Sequence, residues 1–280
     1  MTNPDTLPAT TRIGRVALYV NDLDRVADFY RTVVGLTLLD HNEKRATLGA
    51  PETPLLELCS APARPERESE ETGLFHTAFL VPSRATLGDA LSRIRKHWRL
   101  DGASDHLVSE ALYLSDPEGN GIEIYRDRPR EEWPIEEDRV GIDTLPLDLA
   151  EIAALETGKK EVPEETTIGH VHLEVASLSR VREFYVESLG MNVRQSDGDS
   201  VLFIAAGEYH HHLGLNTWNG RSGPGEGRGL AWFELVVPDV ETLSAIQEWL
   251  TESVVRYPSD GSLVLTDPDG IELRVRVDPS

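Results

Sequence analysis

Nine histidines are spread over 280 residues, and three of them, His210, His211 and His212, are consecutive in "GEYHHHLGLNTWN". The run is internal and flanked by strand-like residues, so it is not a terminal tag. His170 and His172 alternate in "GHVHLEV", and His76 sits in "GLFHTAFLV". A further stretch, "DHLVSEALYLSDPEGNGIEIYR", brings His106, Tyr113, Glu123 and Tyr125 close together in sequence. Imidazole nitrogens and carboxylate oxygens are donors that divalent transition metals accept. Histidine also titrates near neutral pH and is the commonest general acid or base. Three chemistries are therefore open: metal ligation, proton transfer and simple polar packing.

The elements that must carry these side chains repeat along the chain. "IGRVALYVNDLDRVADFYRTVVGL" (13–36) matches "IGHVHLEVASLSRVREFYVESLGM" (168–191) at a constant offset of 155. Each copy begins as an alternating strand and continues as a helix with apolar residues every three to four positions. Each ends at a glycine, Gly35 or Gly190, in the position that favours a left-handed cap. "GLFHTAFLVPSRATLGDAL" (73–91) pairs with "GLAWFELVVPDVETLSAI" (229–246). The tails "SDPEGNGIEIYR" (115–126) and "TDPDGIELRV" (266–275) agree as well, each an Asp-Pro-x-Gly turn before a short strand. The chain thus reads as four units, 13–60, 73–127, 168–218 and 229–277, each a strand, a helix and two or three further strands. Domain boundaries are expected at 1–127 for units 1 and 2, 128–166 for a linker and 167–280 for units 3 and 4. Within the linker, "PLDLAEIAALE" (146–156) reads as a short amphipathic helix.

Alternation assigns faces. His170 and His172 share one side of their strand, and Val171, Leu173 and Val175 the other. Glu123 and Tyr125 point opposite to Ile122 and Ile124. In the histidine run, alternation places His210 and His212 together and His211 opposite, without saying which face is functional.

Composition narrows the partners. A net charge of −22 disfavours nucleic acid and anionic membrane surfaces, both of which need a positive field. The acid-rich, lysine-poor balance suggests adaptation to a salty cytosol. Cys59 is the single cysteine, so no intrachain disulfide is possible. No apolar run reaches 18 residues and the N-terminus lacks a signal-peptide core, which points to a cytoplasmic protein.

Four βαβββ units with "HxxLxV"-like first strands and a "DPxGxxIE" ending resemble the vicinal oxygen chelate superfamily, over nearly the whole chain. The resemblance implies an α+β fold of four modules forming two cupped mixed β-sheets, with helices outside and a divalent metal in a cup. In that family one ligand is the histidine five residues before the end of the first strand, and another is the glutamate of the closing strand. Those positions hold Arg15, His76, His170 and Trp232 in the four units, and Glu123 and Glu272 close units 2 and 4. Glu57 in unit 1 is a loose match, and unit 3 closes without a carboxylate. The resemblance therefore implies a metal held by His76, His170 and Glu123, in a cup made by modules 2 and 3. The other cup would be metal-free, with Glu272 structural. Two histidines and one carboxylate suit Fe(II), and Mn(II) accepts the same set.

Within the superfamily, "YHHHLGLNTW" resembles the catechol 2,3-dioxygenase branch, with its functional units circularly shifted. That branch implies extradiol ring cleavage of a small aromatic diol by O2, giving 2-hydroxymuconate semialdehyde-type products. His211 would be the acid/base residue, with Tyr113, ten positions before Glu123, and His106 completing the catalytic group. The His106 spacing departs from the family pattern by about two residues. His172, Tyr125, His210 and His212 would line the substrate pocket. A glyoxalase-like lyase or isomerase could use the same cup, although it would want a second glutamate. A non-catalytic binding protein of the resistance type is the third reading. Exposed sheet edges are compatible with a homo-oligomer.

Overall fold

The computed structural model describes residues 6–137, 139–250 and 261–278. The first repeat forms β1 (Arg12–Val20), α1 (Leu23–Phe29), β2 (Thr37–His41), β3 (Arg45–Gly49) and β4 (Pro54–Ser60). The second forms β5 (Gly73–Leu80), α2 (Arg84–His97), β6 (Gly102–Asp105), β7 (Ser109–Ser115) and β8 (Gly121–Asp127). The link carries β9 (Ile135–Glu136), β10 (Arg139–Val140), β11 (Leu145–Pro146) and α3 (Leu149–Ala153). The third repeat is β12 (Thr167–Glu174), α4 (Leu178–Arg182), β13 (Asn192–Asp197), β14 (Val201–Ala205) and β15 (Leu213–Asn216). The fourth is β16 (Gly229–Val237), α5 (Val240–Trp249), β17 (Leu263–Thr266) and β18 (Glu272–Val277).

These strands form two curled mixed sheets with the helices outside them. One has the order β11-β6-β7-β8-β5-β12-β15-β14-β13 and the other β17-β18-β16-β1-β4-β3-β2. Within repeats, β5 runs parallel to β8, β12 to β15 and β16 to β18, whereas the hairpin neighbours are antiparallel. The nine-stranded sheet draws on repeats 2 and 3, and the seven-stranded sheet on repeats 4 and 1. No helix among the described residues is long and apolar enough to cross a membrane.

By compactness the chain divides into two units, Ala17–Arg64 with His76–Gly169, and Met1–Val16 with Pro65–Phe75 and His170–Ser280. In the first of these, α1 starts at Asp22, whose side chain accepts the Arg25 N–H, the usual way an aspartate satisfies an orphan donor. Its last turn, Tyr30–Val34, widens to a π-helical turn and stops at Gly35, with φ of 90°. Tyr30 is fully buried and lies 3.4 Å from the carboxylate of Asp116. Asp116 also accepts the backbone N–H groups of Glu118 and Asn120. The Phe-Tyr pair of one repeat thus holds the Asp-Pro-x-Gly turn of the next.

The linker is tied to this unit at several points. Gly88 of α2 lets α3 approach closely, because a Cβ there would lie 2.6 Å from the Ile152 carbonyl oxygen. Asp89 is buried and accepts the N–H and hydroxyl of Thr157 and the N–H of Gly158. The helix expected at 146–156 is shorter, Leu149–Ala153, capped by Asp148. Leu145 and Pro146 instead extend the sheet beside Asp105 and Ser104.

The other unit repeats the same device. Tyr185 donates to Asp267 at 3.0 Å, and Asp267 accepts the N–H groups of Asp269 and Ile271. Burial pushes the Asp267 carboxyl up to about 6. At the family's ligand positions here, Arg15 binds Glu234 at 2.6 Å, and the guanidinium groups of Arg15 and Arg274 lie 5.4 and 4.0 Å from the Trp232 ring centre. Arg274 also pairs with Glu272 at 2.9 Å.

Candidate active site

In the first unit, strand pairing builds a compact acid/base group. Parallel pairing of β5 and β8 sets Ala78 opposite Glu123, and antiparallel pairing of β7 and β8 sets Tyr113 opposite Glu123. His76 Nε2 lies 3.0 Å from Glu123 Oε2, with both side chains buried. Burial, and then the Glu123 carboxylate across the strand pair, hold the Tyr113 phenol well above its usual range. Tyr113 stays a neutral donor.

His106 reaches this group from the β6–β7 turn. Its Nε2 lies 2.6 Å from the Tyr113 hydroxyl, and its Nδ1 lies 2.6 Å from the backbone carbonyl of Asp143. A carbonyl only accepts, so Nδ1 carries the proton. In the neutral ring, Nε2 is then an acceptor for the Tyr113 hydroxyl. The turn is tight enough to place Leu107 at φ 69°, a left-handed conformation that costs a non-glycine residue about 1 kcal/mol or more. The linker therefore supplies the atom that fixes the His106 tautomer.

Tyr125 belongs to a buried cluster against which Tyr113 also packs. It is fully buried among Ala78, Ala111 and Leu80. It also fills the space over Gly169, where a Cβ would lie 1.7 Å from its hydroxyl.

The histidines of the other unit separate into distinct environments. His210, His211 and His212 are all buried, and they occupy a turn, since β15 starts at Leu213. Strand alternation therefore does not apply to them, which is why side chains expected on opposite faces are buried together. His212 accepts the Ala206 N–H at Nδ1, 3.1 Å away, and its backbone N–H donates to the Ile204 carbonyl. Burial, with His210 and His170 nearby, lowers it to about 3, so it remains neutral. His210 and His211 meet through their Nδ1 atoms at 2.7 Å, so one donates and the other accepts. The His211 ring lies 4.1 Å from the His170 ring, centre to centre, against 6.2 Å for His210 and His170.

His172 is held by its surroundings. Its ring lies over Gly214, where a Cβ would meet it at 2.9 Å, and the Asn216 amide lies 3.1 Å from its Nε2. Phe75, Phe203 and Trp218 surround it at centroid distances of 5.0, 5.9 and 5.3 Å. These aromatics and Asn216 had no distinctive sequence pattern. Asn216 and Trp218, inside the quoted "NTW", and Phe75, inside "GLFHTAFLV", lay in stretches singled out for their histidines.

His76 offers an imidazole nitrogen and Glu123 a carboxylate oxygen in the first unit, and His170 offers an imidazole nitrogen in the other. All three side chains are buried. Two imidazole nitrogens and one carboxylate oxygen fit a divalent transition metal, with positions left for exogenous ligands.

The chain belongs to the Glyoxalase/Bleomycin resistance protein/Dioxygenase superfamily, whose family model matches residues 12–124 and 167–275. It is 42% identical over 249 residues to catechol-2,3-dioxygenase of Bacillus subtilis (strain 168), covering 84% of this chain and 86% of that one. It is 28% identical over 166 residues to biphenyl-2,3-diol 1,2-dioxygenase 3 of Rhodococcus globerulus, covering 56% of this chain and 87% of that one. The crystal structure of glyoxalase I from Zea mays is similar in fold, with a TM-score of 0.59 at 19% identity, covering 95% of this chain and 92% of that one.

Proposed function

We propose that the protein is an extradiol dioxygenase, opening catechol-type rings beside the diol with O2 to give 2-hydroxymuconate semialdehyde-type products. The observation that carries this reading is the buried His76–Glu123 pair with the Tyr113–His106 pair beside it. The similarity to a catechol-2,3-dioxygenase over most of both chains supports it. Both oxygen atoms of O2 enter the product, one ring C–C bond breaks, and no external reductant is needed.

His76, Glu123 and His170 would hold Fe(II), or Mn(II), which accepts the same donors. The bound metal would orient the diol and O2 and carry electrons between them. Tyr113, kept neutral, donates a hydrogen bond to a diol oxygen. Its partner His106 can take up a proton at Nε2 by relay, Tyr113 passing its own proton to Nε2 and keeping the one from the diol, while Nδ1 stays on the Asp143 carbonyl. His211, whose ring lies against that of His170, is a second acid/base residue. His212 cannot share that role, since its proton affinity is too low and its Nδ1 is committed to Ala206. His172 forms part of the pocket wall. β15, Leu213–Asn216, has no carboxylate, so it lacks the second glutamate that a glyoxalase-type reaction would want.

The reading is tested by His211→Ala and His76→Ala in parallel. The first should retain iron and slow ring cleavage. The second should lose iron. Iron loss from His211→Ala would overturn the role given to His211.

A further inference from the structure

The turn that carries His211 is pinned at its base by its own atoms. The His212 backbone N–H donates to the Ile204 carbonyl at 2.8 Å, and His212 Nδ1 accepts the Ala206 N–H at 3.1 Å. The apex, Gly207 and Glu208, is held from outside the turn. Asn192 Nδ2 donates to the Gly207 carbonyl at 3.2 Å, and Arg194 Nη2 donates to the Glu208 carbonyl at 3.4 Å. The N-terminal segment closes the third side. Gly207 has φ of 60°, and a Cβ there would lie 2.5 Å from the Ala9 Cβ. The chain then runs from Glu208 into Tyr209, whose ring lies 4.1 and 4.9 Å from those of His210 and His212. Where the apex sits therefore decides where the histidine rings sit.

Arg194 is an unexpected residue in this place. It is only 5% exposed, and taking a guanidinium out of water is unfavourable unless its N–H groups find acceptors. Its position comes from a β-bulge. β13 pairs Val193 with Ile204 and Gln195 with Phe203, so Arg194 is the extra residue between them. A bulge bends its strand and re-aims the side chain it carries.

The first repeat shows that the fold does not require an arginine there. It has the same bulge at the matching place, at the offset of 155. β2 pairs Leu38 with Leu48 and Asp40 with Thr47, so the extra residue is Leu39, which is half-buried. The counterpart of Asn192 is Thr37. The turns differ as well. Residues 50–53 join β3 to β4, whereas residues 206–212, with all three consecutive histidines, join β14 to β15. The buried arginine and the asparagine thus accompany the longer, histidine-bearing turn.

We infer that Arg194 is a positioning residue for His211. Its guanidinium, together with the Asn192 amide, holds the apex carbonyls so that the His211 ring stays against that of His170. Arg194 acts on the reaction through His211 and not on the substrate. The inference rests on the ring-cleavage reading for its effect on turnover. The hold on the turn is independent of that reading.

Arg194→Leu tests this with two readouts. It puts into the third repeat the residue that the first repeat carries at the same bulge, so packing is kept and the donors are removed. In the metal-free protein, hydrogen–deuterium exchange over residues 206–212 should quicken, while exchange over β16 in the same unit should not change. In the Fe(II)-loaded protein with catechol in air, kcat should fall roughly tenfold, with KM and iron content unchanged. The decisive comparison is a double-mutant cycle. In a His211→Ala background, Arg194→Leu should change kcat less than about twofold, because a residue that acts through His211 has nothing left to act on. Asn192→Ala should show the same pattern on a smaller scale, and it carries the test if Arg194→Leu folds poorly. Unchanged exchange in the turn would overturn the inference, as would an equal loss of kcat with and without His211. If the turn loosens but the unaltered protein opens no ring, the hold on the turn stands and the dioxygenase reading falls. If rings open and Arg194→Leu turns over like the unaltered protein, the dioxygenase reading stands and the inference falls.

Discussion

The hydroxyl of Tyr113 lies 2.6 Å from Nε2 of His106, and the far side of that imidazole is bound to the Asp143 carbonyl at 2.6 Å. Three elements meet there: β7 supplies the phenol, the β6–β7 turn the imidazole, and the linker the carbonyl. A proton taken up at Nε2 gives an imidazolium that the carbonyl still stabilises through Nδ1. Once Nε2 is protonated it becomes the donor and the Tyr113 oxygen the acceptor, which frees the phenol O–H for another acceptor.

Tyr113→Phe keeps the ring and removes only the donor. A hydrogen bond to a charged oxygen contributes about 1.5–3 kcal/mol, so kcat/KM should fall roughly tenfold to a hundredfold. Iron content should stay unchanged. Steady-state kinetics with metal analysis checks this, and an unchanged kcat/KM would remove Tyr113 from the mechanism.

The three consecutive histidines should behave differently. His212→Ala leaves the buried Ala206 N–H without its acceptor, at a cost of about 1–3 kcal/mol, so its main effect should be a lower melting temperature. His211→Ala should slow turnover with a smaller loss of stability. Equal stability losses with equal turnover losses would mean that the run acts as one structural block.

Tyr185–Asp267 predicts a pH dependence of stability. The folded-state pKa of Asp267 is raised to about 6, first by burial, above the ordinary carboxylate value. The folded protein therefore binds this proton more tightly than the unfolded chain. The contribution is fully present below pH ~4 and is lost as pH rises through 6. At about 1.4 kcal/mol per pH unit, the loss is on the order of 2–3 kcal/mol. Asp267→Asn should remove it, so the difference in unfolding free energy between the two proteins should change between pH 4 and 7. A difference constant across that range would contradict the assignment.

Much of this arrangement was legible because repeats constrain one another. The Phe-Tyr and Asp-Pro-x-Gly motifs recur since Tyr30 meets Asp116 and Tyr185 meets Asp267. Strand periodicity and glycine stops fixed the order of elements, and the family resemblance assigned the ligand positions to His76, Glu123 and His170. The histidine run was misleading for a physical reason: a turn has no two-residue period, so alternation could not assign faces to residues 210–212. The role of Asp143 was invisible because a backbone carbonyl leaves no trace in residue type. Phe75 and Phe203 were hidden because an aromatic in a strand looks the same whether it fills a core or lines a wall.

The linker offers a separate check. Asp89→Ala deprives the Thr157 and Gly158 donors of their acceptor and should cost about 2–4 kcal/mol. Its signature should be local. Limited proteolysis should cut within residues 154–165 sooner than in the unaltered protein. Unchanged cleavage there would mean that the linker is held mainly by α3 and β11.

The central claim is tested most directly by loading the protein with Fe(II) without oxygen, adding catechol, and admitting 18O2. The account predicts a yellow ring-fission product that retains two labelled oxygens before exchange with water, formed with one O2 consumed per catechol. Iron binding at His76, Glu123 and His170 without ring opening, or oxidation of catechol to a quinone without labelled oxygen, would contradict it.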